Sequence, residues 1–125
     1  LNLSVGTRLP AYCTSMGRVL LAELPDDEIA RRLKAMPPVQ KTRHTVTDMD
    51  TLMTRIRQVR QQGWALVSEE LEEGLISIAA PVRNRQGRAI AALNVSGQLR
   101  RTSVSAVKET LLPQLTLLAD DPVVL

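Results

Sequence analysis

The apolar positions of this chain change period along its length. Met16, Val19, Leu20 and Leu24 recur at helical spacing and predict a helix over residues 15–24, with Thr14 as its N-cap. A second helix is predicted from about Pro25, a residue the first turn tolerates. Asp26, Asp27 and Glu28 stand at its start and Arg31, Arg32 and Lys34 in its later turns, the order that suits the helix dipole. Ile29, Leu33 and Met36 form its apolar stripe, and Pro37-Pro38 ends it. After a loop over residues 39–46, Thr47 opens a third helix, with Asp50 three residues on as a weak capping box. Leu52, Met53, Ile56 and Val59 line one face of that helix, and Gly63 stops it.

The period then switches from helical to alternating. Residues 64–68 predict a strand. Segments 75–82 and 88–96 predict a hairpin about the polar turn Asn84-Arg85-Gln86-Gly87. If Asn84 pairs with Gly87, Val82 faces Ala89, Ala80 faces Ala91, Ile78 faces Leu93 and Ile76 faces Val95, which makes one face wholly aliphatic. The other face pairs Ala79 with Ala92, Ser77 with Asn94 and Leu75 with Ser96. A slip of one residue would mix the faces, so burial selects this sorting. A closing helix is expected over residues 103–119, interrupted or bent near Pro113, and a short strand over residues 1–5 ending at Gly6. The order is strand, three helices, three strands, helix: an α+β fold with an antiparallel sheet packed by helices.

Composition narrows the function. The 125 residues fit one domain, and 44% hydrophobic with 23% charged residues is ordinary for a globular protein. Tyr12 and Trp64 are the only aromatics, too few for a base-stacking platform. The net charge is +3, but the basic residues are scattered from Arg8 to Lys108 without a dense stripe that would track phosphates. Cys13 is the single cysteine, which excludes an internal disulfide and fits a reducing cytoplasm. No apolar run has membrane-spanning length and no signal peptide is present, so no membrane partner is expected.

Two places carry a chemical pattern. On the mixed hairpin face, Ala79 and Ala92 leave a hollow, and Ser77, Asn94 and Ser96 put hydrogen-bonding groups at one end of it, as a small polar ligand requires. The alternative is the solvent face of a half-buried sheet. At the predicted helix start, Cys13-Thr14-Ser15-Met16-Gly17, free N–H groups suit a carboxylate, and Gly17 permits close approach of a ligand or of another backbone. The alternative is an ordinary capped helix. Cys13 with His44 has no acidic orienter and serves better as packing than as nucleophile and base. One Cys and one His cannot fill a structural zinc site, so neither metal nor cofactor is expected. Glu69, Glu70, Glu72 and Glu73 fit a solvated loop better than a pocket mouth or a cation site.

These segments carry a family likeness. Residues 6–22, through Leu9-Pro10-Ala11-Tyr12-Cys13-Thr14-Ser15-Met16-Gly17, resemble the opening of the effector-binding core of IclR-type transcription regulators. Val59-Arg60-Gln61-Gln62-Gly63-Trp64-Ala65 is similar to their helix-to-strand passage. Glu69-Glu70, then Gly74-Leu75-Ile76-Ser77-Ile78-Ala79-Ala80-Pro81-Val82-Arg83-Asn84, then Gly87 and Ala91-Ala92-Leu93-Asn94-Val95-Ser96-Gly97, resembles their hairpin. Within the family, Leu9 to Gly17 and Glu70-Leu71-Glu72-Glu73-Gly74-Leu75 resemble most the branch controlling aromatic-acid catabolism through the β-ketoadipate pathway.

The resemblance implies a GAF-like effector domain that forms dimers or tetramers in the cytoplasm. It implies that promoter DNA is met only through an N-terminal winged helix-turn-helix outside this chain, and that the first strands of the effector domain also lie outside it. It implies a small carboxylate ligand, an aromatic acid or a β-ketoadipate-like acid, met by the backbone at Ser15 and Met16 within the Thr14 to Gly17 helix start. Ser77, Asn94 and Ser96 would line the polar end and Leu75 the apolar wall, with Tyr12 placed to close the pocket. Relatives often carry Asp at the position of Val67 and Cys at that of Ser77. An apolar Val67 fits a larger aromatic or longer acid better than a small keto acid. Two other classes compete with a non-enzymatic ligand sensor: a ligand-free oligomerisation domain, and a small hydrolase using Cys13 or Ser15.

Overall fold

The computed structural model describes residues 3–120. The helices come first, and each begins where a side chain or a proline can end the extended chain. A 3-10 turn at Ala11–Cys13 leads into α1, Ser15–Leu21. Thr14 caps α1, its hydroxyl accepting from Gly17 N–H at 3.2 Å and donating to Pro10 O at 2.9 Å. Helix α1 is one turn shorter than its apolar spacing predicts. Helix α2, Asp26–Ala35, starts directly after Pro25 and buries Ile29 and Leu33. Helix α3, Met49–Gln62, is capped by Asp48 rather than by Thr47. The Asp48 carboxylate accepts from both the N–H and the hydroxyl of Thr51, which holds its pKa below the usual range. Two bonds from Thr51 outcompete the predicted box because a carboxylate is a stronger acceptor than a threonine hydroxyl. Gly63 ends α3 in the left-handed conformation at φ 84°.

Three strands follow: β1, Ala65–Ser68; β2, Leu75–Arg83; and β3, Ala89–Gln98. They form an antiparallel sheet in the order β1-β2-β3. The strand expected over residues 1–5 is not formed. Residues 1 and 2 lie outside the described residues, and Leu3, Ser4 and Val5 are exposed in coil and turn, with Thr7 N–H donating to Ser4 O. A strand needs a ladder partner, and no described strand pairs with them.

The hairpin register differs from the predicted one by two residues. Val82 faces Ala91, Ala80 faces Leu93, Ile78 faces Val95 and Ile76 faces Gly97. The first residue of the shift comes from the turn. Asn84 pairs with Arg88 across the three-residue loop Arg85-Gln86-Gly87, with Gly87 at φ 80°. The second comes from a bulge between Val82 and Arg83, opposite which Ile90 is the extra residue of β3. Two single steps restore parity beyond the bulge, so β2 and β3 from Ala91 onward keep their predicted faces, while Ala89, now opposite Arg83, changes face.

Each face of the sheet meets helices. Ile76, Ile78, Ala80 and Val82 pack with Val107, Leu115 and Ala119 of the C-terminal helical segment. Ala65 and Ala79, on the other face, pack with Tyr12, Cys13, Val19 and Ala22 and with the buried stripes of α2 and α3. The C-terminal segment consists of α4, Val104–Ala106; a π-helical stretch, Val107–Leu111; and α5, Leu112–Asp120. The irregularity therefore precedes Pro113 instead of centring on it: Leu112 N–H donates five residues back to Val107 O. Proline lacks the N–H that would complete the next turn, and the wider winding accommodates its ring. Lys108 lies over the Trp64 ring at 5.6 Å, tying this segment to the start of β1. Among the described residues no helix is long and apolar enough to cross a membrane.

Two expectations follow from the packing around α1. A Cβ on Gly17 would stand 2.3 Å from Ala11 Cα and 2.4 Å from Ala11 O, both backbone atoms that cannot swing aside. Gly17→Ala should therefore destabilise the protein by about 1–3 kcal/mol, more than the roughly 1 kcal/mol that alanine gains over glycine in a helix. Urea unfolding checks this, and undiminished stability would contradict the close approach. Cys13 is fully buried, and burial pushes its thiol pKa up, with the Glu70 charge adding to the effect. A thiol reagent at pH 8 should modify native Cys13 only as fast as local unfolding exposes it. Modification at the rate of a free thiol would place Cys13 at the surface.

Candidate functional site

The residues singled out on the mixed hairpin face form two rows across the sheet. Val67 pairs with Ser77, and Ser77 with Ser96; one step along, Ala65 pairs with Ala79, and Ala79 with Asn94. The two-residue shift thus sets Ser96, not Asn94, opposite Ser77, and Gln98, not Ser96, opposite Leu75. Helix α1 covers the alanine row. Its first turn reaches the serine row, where the buried Ser15 hydroxyl donates to Ser77 Oγ at 2.8 Å. Beyond that contact the face opens. Ser77 and Asn94 are half-buried and Ser96 is exposed, with Asn94 Nδ2 donating to Ser96 Oγ at 3.1 Å.

Counting hydrogen-bonding capacity shows what this row can offer. Ser77 receives a proton from Ser15 and Ser96 one from Asn94, so both hydroxyls remain free to donate. Asn94 Oδ1 remains free to accept. At the start of α1, Gly17 N–H is bound by Thr14 Oγ1 and Arg18 N–H by Thr14 O. Thr14 and Gly17 are thus occupied with shaping the helix start, and the first-turn N–H groups of Ser15 and Met16 have no acceptor among the described residues. Donors on two elements and one amide acceptor thus lie near two apolar residues. Val67 is buried next to Ser77, and Leu75 is half-buried. Leu75 and Ser96 also line a cavity of about 590 Å³, together with Leu3, Gly74, Gly97 and Gln98 and the charged Glu72, Glu73 and Arg100.

Tyr12 stands apart from the other nine predicted residues. Its buried ring ends in a hydroxyl that donates to Val39 O at 2.6 Å and accepts from Val39 N–H at 3.0 Å. It lines a groove of about 640 Å³ with Leu9, Pro10, Met36 and Val39, and none of the other nine residues lines that groove. In this state Tyr12 fastens the loop after α2 to the 3-10 turn. His44 is on the surface, 3.6 Å from Glu69, and no hydrogen bond joins it to the buried Cys13.

The acidic loop differs most from its sequence reading. Glu70 is buried and forms a bidentate pair with the buried Arg18, Nη1 to Oε2 at 2.9 Å and Nη2 to Oε1 at 2.5 Å. Arg18 Nε donates to Tyr12 O at 2.9 Å, and Glu70 Oε1 accepts from Val46 N–H at 3.2 Å. Thr42 and Thr45 donate to the carbonyls of Glu69 and Glu70, both at 2.6 Å. Sequence reasoning passed over Arg18 and treated Glu70 as solvated. A signal was available: Ser15, Arg18, Val19 and Ala22 lie at i, i+3, i+4 and i+7, so Arg18 sits on the buried face of α1 and requires a counter-charge. No group of His, Cys, Asp or Glu among the described residues is arranged to hold a metal ion.

Known proteins are similar to this chain in sequence and in fold. The family described as bacterial transcriptional regulator IclR C-terminal matches residues 1–123. The chain is 46% identical over 112 residues to the Pca regulon regulatory protein of Pseudomonas putida, an alignment covering 90% of this chain and 38% of that protein. It is 39% identical over 114 residues to the p-hydroxybenzoate hydroxylase transcriptional activator of Acinetobacter baylyi, covering 91% and 42%. The chain thus spans about two fifths of the length of those relatives. Among solved structures, a double mutant of the PobR inducer-binding domain from Acinetobacter, in complex with 3-hydroxybenzoic acid, superposes with a TM-score of 0.90. That match has 38% identity and covers 94% of this chain and 67% of that one. A transcriptional regulator from Rhodococcus sp. RHA1 superposes with the same score at 44% identity, covering 95% and 49%. With its α+β layers, its hairpin and nearly its whole length matched, this chain belongs to the family of C-terminal domains of IclR-type bacterial transcriptional regulators.

Proposed function

We propose that this domain senses a small carboxylate and thereby controls the transcription of genes for aromatic-acid catabolism. The ligand is an aromatic acid such as 4-hydroxybenzoate or protocatechuate, or a β-ketoadipate-like acid. The observation that carries this reading is the likeness to an inducer-binding domain that holds a hydroxybenzoate. The polar row supports it independently. The free N–H groups of Ser15 and Met16 suit the carboxylate, while Ser77, Ser96 and Asn94 suit its hydroxyl or keto groups. Val67 and Leu75 offer an apolar wall to a ring.

The protein that carries this domain acts in the cytoplasm as a dimer or tetramer and reaches promoter DNA through a winged helix-turn-helix outside this chain. Ligand shifts the arrangement of its subunits to the extent that it binds the alternative arrangements unequally. The family is one of regulators, and the burial of Cys13 supports a binding role over hydrolysis by that thiol. A second reading, a domain that assembles without ligand, is favoured by the exposed Leu117 and Leu118 of α5.

Thermal unfolding of the full-length protein separates the two. A specific acid at about 100 times its Kd should add roughly 2.7 kcal/mol of stability. The panel is 3-hydroxybenzoate, 4-hydroxybenzoate, protocatechuate and β-ketoadipate. Ser77→Leu fills the hollow and deprives Ser15 of its acceptor, which costs about 1–3 kcal/mol of stability; the variant should then show no shift above its own melting temperature. No shift of the parent with any acid would leave assembly as the role. A full shift retained in Ser77→Leu would move the site off the polar row.

A further inference from the structure

Arg18 and Glu70 are the only charged residues buried among those described. Taking both charges out of water is costly, and an apolar pair of similar volume is often as stable or more so. The pair therefore contributes little net stability, and its distinctive effect is geometric. A guanidinium is planar and rigid, and three of its N–H groups are fixed here: two on the Glu70 carboxylate and one on Tyr12 O. Tyr12 is three residues before Ser15, in the turn that leads into α1; Glu70 is five residues before the first residue of β2. The clamp thus ties α1 and the turn before it to the loop between β1 and β2, next to the Ser15 to Ser77 hydrogen bond that ties α1 to β2 itself. Glu70 is itself held by Val46 N–H and, through its carbonyl, by Thr45, so it is anchored to the rest of the protein and does not follow α1 passively. Neither charged group is left over for a ligand, since each is occupied by the other.

We propose that Arg18 and Glu70 are positioning residues of the ligand site: they hold the first turn of α1 at the spacing from β2 at which its N–H groups and the serine row address one ligand together. This rests on the ligand-sensing reading above. A looser clamp leaves every ligand-contacting group present and the core packed, but sets the two halves of the site at variable distance, and affinity falls because the bound arrangement is less populated.

The informative variant is the double replacement Arg18→Met with Glu70→Leu in the full-length protein, because it removes the clamp without stranding a buried charge. Three readouts are needed: the melting temperature, amide hydrogen exchange over residues 15–18 and 75–77, and the Kd for 3-hydroxybenzoate by calorimetry. The expected result is an unchanged or raised melting temperature, faster exchange confined to those two segments, and a Kd weakened by about tenfold. Unchanged exchange and unchanged Kd would overturn the proposal and leave the pair a structural element only. Should the parent bind neither this acid nor the others of the panel, the ligand-sensing reading fails, and exchange alone decides: protected segments in the double variant overturn the clamp, and exposed ones support it. Should the double variant not fold, Arg18→Lys replaces it in the same measurements. That change keeps the charge but loses the planar three-point geometry, and a parent-like Kd and exchange pattern would overturn the proposal.

Discussion

Strand β2 is confined on all four sides. Its edges are bonded to β1 and β3, one face meets the C-terminal helical segment, and the other meets α1. Side chains on a strand alternate strictly, so this confinement forces a choice at every position between two different environments. Ile76, Ile78, Ala80 and Val82 fill the closed face, while Ser77 and Ala79 go to the face that α1 covers only in part. That face carries alanines, packed under α1, and serines at the end of the helix, where the cover stops. The row of Val67, Ser77 and Ser96 and its meeting with the start of α1 follow from this parity.

The same parity explains what the sequence made legible. Hairpin faces could be assigned from alternation alone because a wrong face would bury polar groups and expose aliphatic ones. Register was less accessible. The energy that separates registers two residues apart resides in a left-handed Gly87 and in one extra residue near Ile90, and neither changes the hydrophobic pattern. Helix ends were similarly elusive: Asp48 outcompetes Thr47 through a local pair of hydrogen bonds that periodicity does not encode. The expected opening strand failed for a different reason, since its fate depends on a partner and not on its own residues.

The buried ion pair marks a further boundary of sequence reading. Half of it was readable, since an arginine on the inward stripe of a helix demands a partner. Which acid answers that demand was not readable, because Glu69, Glu70, Glu72 and Glu73 are chemically equivalent as letters. The fold separates them by placement: Glu70 turns inward beneath the loop over residues 39–46, Glu69 accepts from Gly74 N–H, and Glu72 and Glu73 remain at the surface. Tyr12 shows the converse. An isolated aromatic beside a candidate site invites a role in closing it, yet its hydroxyl is satisfied by the backbone of a single residue, Val39, in the loop after α2.

The outer edge of β3 carries no ladder partner among the described residues, and this ten-residue strand is the longest of the sheet. An unpaired edge of that length is a template: its N–H and C=O groups recur at fixed intervals and accept any extended segment of compatible register. Such a segment would inherit the alternation of the sheet. Every second side chain would enter the layer of Asn94 and Ser96 and help define the shape offered to a small molecule, while the intervening ones would extend the aliphatic layer beneath. A segment added at that edge would therefore reshape the polar layer without replacing Ser77, Asn94 or Ser96.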